Sequence, residues 1–575
     1  MSRTERGRGA AADIGLASSR LLDAGIAGGL WLLGVAVCLH YGRMGFMPFD
    51  QSIVWDAGWR LLGGQVPFRD FVTTTSLVPG ALQAAVFAVA GVSWLTYCAH
   101  AAVVNGLFAV AAFALLRGED LHPAPAAIFG AASAVFFYPP FGVPYADQHS
   151  FFFGLLALVF ASMARRPTSR RGPLLMGLVP GLLVLGYLSK PVPAGFLLPA
   201  VAAVALWPGP DRRPPRTVAL LTGAIVSVGV VAVVLAAMGA HLGLAWDYLV
   251  TLPLDTGGHR ALNPGWLGDR VSTIMRLGRR SELAFPWAAA AASVVAAVGL
   301  VLLALRGGET ARRARAAARP LATALLLWGG TVLFVGVTRN QARNGQALLP
   351  VVLGLLAASA VRVARAATVP SEERSWGMTG LRRFAVVAAG GLVLVALHDA
   401  VRFNATVNVT RMVHDAPYDP GRAEAARGEA PPALAFLEWG LPSTPYSPHD
   451  LRVLVEAVAS EPGPVLLMSD SLVVYALAGK PSVNPNLWYD PGVSMPGPDD
   501  HPRVDRLEAL FLEHLERERP ELVVFDPPPG QHRFHLEMLP RVAAWLQSRR
   551  RATGTIGPFP FWRLAPGGPI AEAPR

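Results

Sequence analysis

What most constrains this chain is a series of long runs almost empty of Asp, Glu, Lys and Arg. They lie at 24–41 and about 95–116, 123–138, 150–164, 173–189, 191–207, 217–240, 284–305, 320–338, 346–361 and 384–399. About 20 apolar residues span a bilayer as a helix. Backbone in lipid must satisfy its own hydrogen bonds, so such runs fold as helices. Only 15% of the 575 residues are charged and mean hydropathy is +0.40, against roughly 25% charged in a soluble chain. The reading is a polytopic α-helical membrane protein with about 11 transmembrane helices. The first run has no small-residue cleavage site behind it and many runs after it, so it reads as a retained helix. The net charge of +11 comes mostly from short arginine clusters between runs. These read as topology signals, and no nucleic-acid partner is expected. Cys38 and Cys98 both sit in apolar runs and form neither a zinc pattern nor a disulfide framework.

Sidedness follows from the clusters at 165–171, 212–216, 306–319 and 362–383. With the runs above as spans, all four share one side with the basic N-terminus, which is then cytoplasmic. The apolar segment 76–90 would put every cluster outside if it spanned. It therefore reads as a re-entrant or interfacial helix of the first outer loop, with Pro79-Gly80 near its start. Domain 1–400 is then the transmembrane domain, with outer loop 42–94. Residues 401–575 form an extracytoplasmic domain, and the protein sits as a multi-pass chain in the plasma (bacterial inner) membrane.

After Asp399 proline and charge rise. PVLLMSD at 464–470 and ELVVFD at 521–526 read as buried strands, each ending in aspartate. HDLRVLVEAVAS and VDRLEALFLEHLERE have helical spacing, RFHLEMLPRVAAWLQSRR is a helix broken at Pro540, and TIGPFPFWRL is a last strand. This order predicts a small α/β domain with a mainly parallel sheet. Without a glycine fingerprint after either strand, it is expected to be non-catalytic and to shape the acceptor entrance.

Polar groups collect on the outer side. The first outer loop carries Asp50, Asp56 and Asp70. Acids at the lip of a bilayer are costly and so point to function. Asp56 is the exception, because Arg60 four residues on makes it half of a solvated helix-surface pair. Later outer segments add Tyr145, Asp147 and His149 in YPPFGVPYADQHS, Lys190 in LSKPVPAG, His259 and Arg260, and Arg339 and Arg343 in TRNQARNGQALLP. Acids and cations gathered at one surface suit chemistry on a lipid-linked anionic substrate. Lys190 also admits a plainer role as a snorkelling helix anchor, and His149 reads first as a loop-capping group.

The order PFDQ, WDAGWRLLGGQVPFRDF, the apolar segment with Pro79, then VAGVS resembles the first outer loop of GT-C-fold glycosyltransferases. These polyprenyl-phosphate-sugar-dependent membrane enzymes include protein mannosyltransferases, aminoarabinose transferases and rhizobial lipopolysaccharide glycosyltransferases. The resemblance extends over about 24–400. It implies a GT-C-like fold, a catalytic acid at Asp50, a second outer-loop acid at Asp147, and cations for the lipid phosphate at Lys190, Arg339 and Arg343. The family's usual Asp-Glu pair reads Asp50-Gln51 here, without its second carboxylate. Asp70 stays a third catalytic candidate, and Tyr145, His149, His259 and Arg260 are secondary ones. The implied reaction moves a sugar from polyprenyl phosphate to a glycan, lipid or protein hydroxyl, with inversion. A carboxylate would act as general base, with fixed cations where the phosphate charge develops. No cofactor is required. A divalent metal on Asp50, Asp147 and His149 is left open without tight ligand spacing to support it. The alternatives are a multi-span transporter and a lipid-linked glycan ligase or polymerase.

Overall fold

The structure, a computed structural model, describes residues 3–138, 141–166, 169–207, 214–256, 284–305, 308–338, 346–367, 376–411, 417–442, 444–487, 489, 494–497, 500–527 and 536–565. Its first fourteen α-helices are α1 (Arg3–Gly42), α2 (Pro48–Leu62), α3 (Leu77–Ala90), α4 (Trp94–Gly118), α5 (Pro123–Phe136), α6 (Ala146–Ala164), α7 (Gly172–Ser189), α8 (Pro191–Leu206), α9 (Pro214–Ala237), α10 (Leu242–Trp246), α11 (Phe285–Ala304), α12 (Gly308–Thr338), α13 (Leu349–Ala366) and α14 (Trp376–Phe403). Among the described residues nine helices are long and apolar enough to cross a membrane: α1, α4, α6, α7, α9 and α11 to α14. This is a multi-pass helical membrane protein. The expected spans at 123–138 and 191–207 are helices of 14 and 16 residues, about 21 and 24 Å long.

Small residues set a close helix crossing between α1 and α4. A Cβ on Gly34 of α1 would lie 2.6 Å from Gly106 Cα of α4, and one on Gly106 2.6 Å from the Trp31 carbonyl. Such contact lets two helices approach in lipid, where no hydrophobic force draws them together. Asn105 beside it donates to the carbonyls of Gly34 (2.8 Å) and Ala134 (3.1 Å), tying α1, α4 and the end of α5. The α4 N-terminus is fixed by a reciprocal Ser93–Thr96 capping box.

The bundle has two chemically different ends. At one, Glu119 is buried and accepts from Ser162, while Arg319 and Arg362 pair with it at 2.8 and 3.0 Å. Arg165 donates to the Ala205 carbonyl and Arg216 to that of Arg166. Each of the four arginine clusters therefore sends a residue to this end. The other end carries Asp50, Asp147 and Lys190. It is also where α3 starts and where α4 starts after it: Ser76 N donates to the Ser189 carbonyl and Trp94 Nε1 to that of Gly42. The segment 77–90 thus leaves from and returns to one end of the bundle.

The remaining elements are α15 (Pro420–Ala425), α16 (Pro448–Ser460), β1 (Val465–Met468), α17 (Val473–Leu477), α18 (His501–Glu518), β2 (Leu522–Phe525), α19 (Pro540–Arg549), β3 (Arg550–Ile556) and β4 (Phe559–Leu564). The sheet order is β1-β2-β4-β3. Only β1 and β2 are parallel; β2–β4 and β3–β4 are antiparallel. The expected mainly parallel sheet is corrected to a mixed one, because the expected last strand is the second arm of a hairpin that turns at Gly557, φ +55°, and whose first arm is β3. One core of Phe46, Trp55, Trp94 and Tyr97 continues into Leu434, Trp439, Tyr446 and Val465. The members of this core after residue 430 thus pack against α2 and the start of α4.

That packing corrects the reading of Asp56. It is not a solvated surface group: Asp56 and Arg60 are both buried, 2.7 Å apart. Asp56 accepts from Ser482 Oγ and Arg60 donates to the Asn484 carbonyl. Trp59 donates to the Lys480 carbonyl and Gln65 to that of Ser482. The segment 480–487 lies along α2 and bridges to Val72 of the loop that follows.

Candidate active site at one end of the bundle

Asp50 stands in the first turn of α2, just after Pro48 at the helix start, where a missing N–H costs nothing. Gln51 beside it turns inward. Its Oε1 accepts from the Met47 N–H and its Nε2 donates to the Phe141 carbonyl at 3.0 Å. Gln51 therefore fastens the first outer loop to the loop before α6, the job of a neutral amide. A second carboxylate there could not donate to Phe141. Gly142 in that loop packs on Gly42 at φ +66°, where a Cβ would strike Gly42 itself.

The fastening brings Tyr145 over Asp50. Tyr145 Oη donates to Asp50 Oδ1 at 3.1 Å, and its ring stacks on Phe141 with centroids 4.2 Å apart. Burial pushes the Tyr145 hydroxyl well above its usual range, and the carboxylates of Asp50 and Asp147 push it further. It therefore remains a donor. Asp147 lies two residues on, fully buried in the first turn of α6, with Lys190 Nζ 2.6 Å from its Oδ1. Lys190 occupies the extended break between α7 and α8, φ −158°, and its carbonyl accepts from Ser150 of α6. Ser189 and Ser150, which flank the Lys190 backbone, are also buried.

Four of the residues predicted from sequence, Asp50, Tyr145, Asp147 and Lys190, thus form one constellation, with His149 one turn behind. Asp70 makes its contacts elsewhere. Its Oδ2 accepts from Val66 N–H and pairs with Arg69, both at 2.7 Å. Burial raises its pKa, but the Arg69 bond, the Val66 N–H and the charges of Arg69 and Arg517 outweigh it, so the carboxyl titrates below its usual range. The Asp70 carbonyl meets Nε2 of His514 on α18. Arg339, Arg343, His259 and Arg260 lie outside the described residues. Among the described residues no three His, Cys, Asp or Glu side chains converge as a metal-ligand set.

Sequence reasoning passed over the run Thr73 to Ser76. All four are buried, and Ser76, left-handed at φ +68°, donates its N–H to Ser189 beside Lys190. Four consecutive hydroxyl residues next to an apolar segment were the available signal.

No family model matches this sequence, and no curated protein matches it. Among solved structures the chain is similar to ArnT from Cupriavidus metallidurans bound to undecaprenyl phosphate, and to the same protein in the apo state. In both cases identity is 12%, the TM-score 0.44, and the match covers 95% of this chain and 98% of the other.

Proposed function

We propose that this protein is a membrane glycosyltransferase that takes its sugar from a polyprenyl-phosphate donor on the outer face of the cytoplasmic membrane. One observation carries the reading: an acid held by a tyrosine, Asp50–Tyr145, stands beside a buried acid–lysine pair, Asp147–Lys190, at one end of a bundle of membrane-length helices. The acceptor is a hydroxyl of a glycan, lipid or protein. Its oxygen attacks the anomeric carbon, its proton passes to Asp50, and the bond from that carbon to the phosphate oxygen breaks with its electron pair on the phosphate. Attack from the face opposite the leaving phosphate inverts the anomeric centre. Lys190 meets the charge that develops on the phosphate, exchanging Asp147 for it. Asp147 holds the lysine in place until the donor arrives. Arg339 and Arg343 are further phosphate partners in this scheme, and the residues after 400 border the acceptor side.

The test is incubation of the purified protein with a panel of polyprenyl-phosphate sugars and an acceptor-containing membrane extract. Release of polyprenyl phosphate, matched by sugar appearing on an acceptor, is expected for at least one donor. No release with any donor, together with solute counterflow in proteoliposomes, would replace this reading by transport.

A further inference from the structure

Behind the site runs a polar chain through the buried interior. His149 of α6 and His100 of α4 face each other with their Nε2 atoms 3.0 Å apart. On the far side of His100, Nδ1 lies 2.9 Å from Oε1 of Gln83, which belongs to α3. On the far side of His149, Nδ1 lies 2.9 Å from the Tyr145 carbonyl and 2.9 Å from Tyr138 Oη. Gln83, His149 and Tyr138 are fully buried and His100 is 6% exposed.

The chain has a direction. Each neutral imidazole has one N–H and one lone pair, so fixing one end fixes the other. The Tyr145 carbonyl can only accept. With the Nδ1–H of His149 donating to it, Nε2 of His149 accepts from the Nε2–H of His100. Nδ1 of His100 must then accept from the amide nitrogen of Gln83. As placed, that nitrogen has no hydrogen-bond partner among the described residues. A half-turn of the amide, whose two ends look alike in shape, gives it one and leaves an oxygen bare instead. The reverse polarity lets Tyr138 Oη donate to Nδ1 of His149 but sets that same lone pair against the Tyr145 carbonyl 2.9 Å away and leaves both amide N–H groups bare. The favoured arrangement therefore runs from Gln83 through both histidines to the backbone of Tyr145.

That end point is where the site is built. Tyr145 donates to Asp50, and Asp147 two residues on holds Lys190. We infer that His149, backed by His100 and Gln83, is a positioning residue that fixes the Tyr145 turn and thereby aims Tyr145 at Asp50. The chain also joins α3 and α4 to the start of α6, so the first outer loop and the loop of Tyr145 move as one. The inference rests on the transfer reading for its catalytic consequence, but not for its structural one.

The experiment is a double-mutant cycle on polyprenyl phosphate release. His149→Phe removes the chain and keeps a ring of similar shape. It is expected to lower kcat roughly ten- to a hundredfold, the scale of a misaimed catalytic group, with donor KM within about twofold. Tyr145→Phe is expected to lower kcat as well. In its background His149→Phe should lower kcat less than about twofold further, and His149→Gln, which can still donate to the Tyr145 carbonyl, should recover most of the activity. Wild-type kcat in His149→Phe, or losses that multiply fully in the double variant, overturn the inference. If His149→Phe does not yield folded protein, Gln83→Met at the far end is read by the same criteria. If wild-type protein transfers no sugar, the transfer reading fails and hydrogen exchange judges this one. His149→Phe must then speed amide exchange over residues 141–151 and leave α11 to α13 unchanged, and unchanged exchange at 141–151 overturns it.

Discussion

At the scale of single residues, the site separates a proton acceptor from a charge acceptor. Asp50 is half-buried at the start of α2, and Tyr145 donates to its Oδ1, so its carboxylate is the proton acceptor of the scheme proposed above. Asp50→Asn keeps the shape and the Tyr145 bond but takes no proton. Turnover should fall about a hundredfold or more with donor KM nearly unchanged, as read from kcat and KM on the preferred donor. Full turnover would remove Asp50 from the mechanism. Lys190 is different, because it is the partner of a buried acid. Lys190→Ala should weaken donor use roughly ten- to a thousandfold. It also breaks the buried pair with Asp147, a loss of about 3–5 kcal/mol, so the melting temperature should drop as well. Adding Asp147→Asn should restore the melting temperature and leave donor use impaired. Recovery of both would mean that the lysine serves only the fold. Sequence order placed these residues on one side of the membrane. It did not show that Asp147 and Lys190 pair, since 43 residues and a helix hairpin separate them.

At the scale of elements, α2 shows why local spacing was half an answer. The four-residue step from Asp56 to Arg60 was legible, and the ion pair is there. Its burial was not, because the segment that covers it begins more than 400 residues later, at Lys480. In the sheet the two runs ending in aspartate were legible as strands by their unbroken apolar content. The hairpin was not, because its turn falls at Gly557, near the start of the run read as one strand, and most of β3 precedes that run. Asp56→Asn should destabilise the protein by about 3–5 kcal/mol, the cost of leaving Arg60 buried and unpaired. Removing both charges, Asp56→Asn with Arg60→Met, should regain much of that, and thermal unfolding in detergent would measure both. At the end of β2, Asp526 accepts from Ser469 Oγ and the Asp470 N–H. Burial raises its pKa from 3.8 to about 6, and those two bonds only partly oppose it. The folded state then holds a proton that the unfolded chain has already released. Its contribution to stability is fully present below about pH 4 and is lost as pH rises through about 6. Relative to Asp526→Asn, wild-type protein should therefore lose melting temperature across that window, and a flat difference would place the carboxyl in its ordinary range.

At the scale of the whole molecule, the question is how often the chain crosses from the arginine end to the Asp50 end. Two expected spans, α5 and α8, are short for a bilayer, and the connections at their ends are the argument for reading them as crossings. α4 finishes beside Glu119, which accepts from Ser162 and so marks where α6 also finishes. The α6 start, with Tyr145 and Asp147, lies 19 residues away, about 28 Å at 1.5 Å per residue. Only α5 and the loop after it can return the chain there. Likewise α8 leaves from Lys190, and its Ala205 carbonyl accepts from Arg165 at the far end of α6. α3 returns to the end it left. We propose that, among the described residues, the nine long helices and these two short ones make eleven crossings, an odd number that would place the residues after α14 opposite the basic N-terminus. Cysteine labelling tests this parity directly, since Cys38 and Cys98 are both buried and should stay silent. Arg427→Cys replaces a side chain 77% exposed beyond α14, and Asp120→Cys one 64% exposed at the arginine end. In intact cells an impermeant maleimide should label position 427 and spare position 120 until the membrane is opened. Labelling of position 120 alone would invert the molecule and put Asp50 and Lys190 in the cytoplasm, where the arginine clusters are expected by their charge. Labelling of both positions would mean that one of the short helices does not cross, and the position of Asp147 relative to Asp50 would have to be built again from that helix.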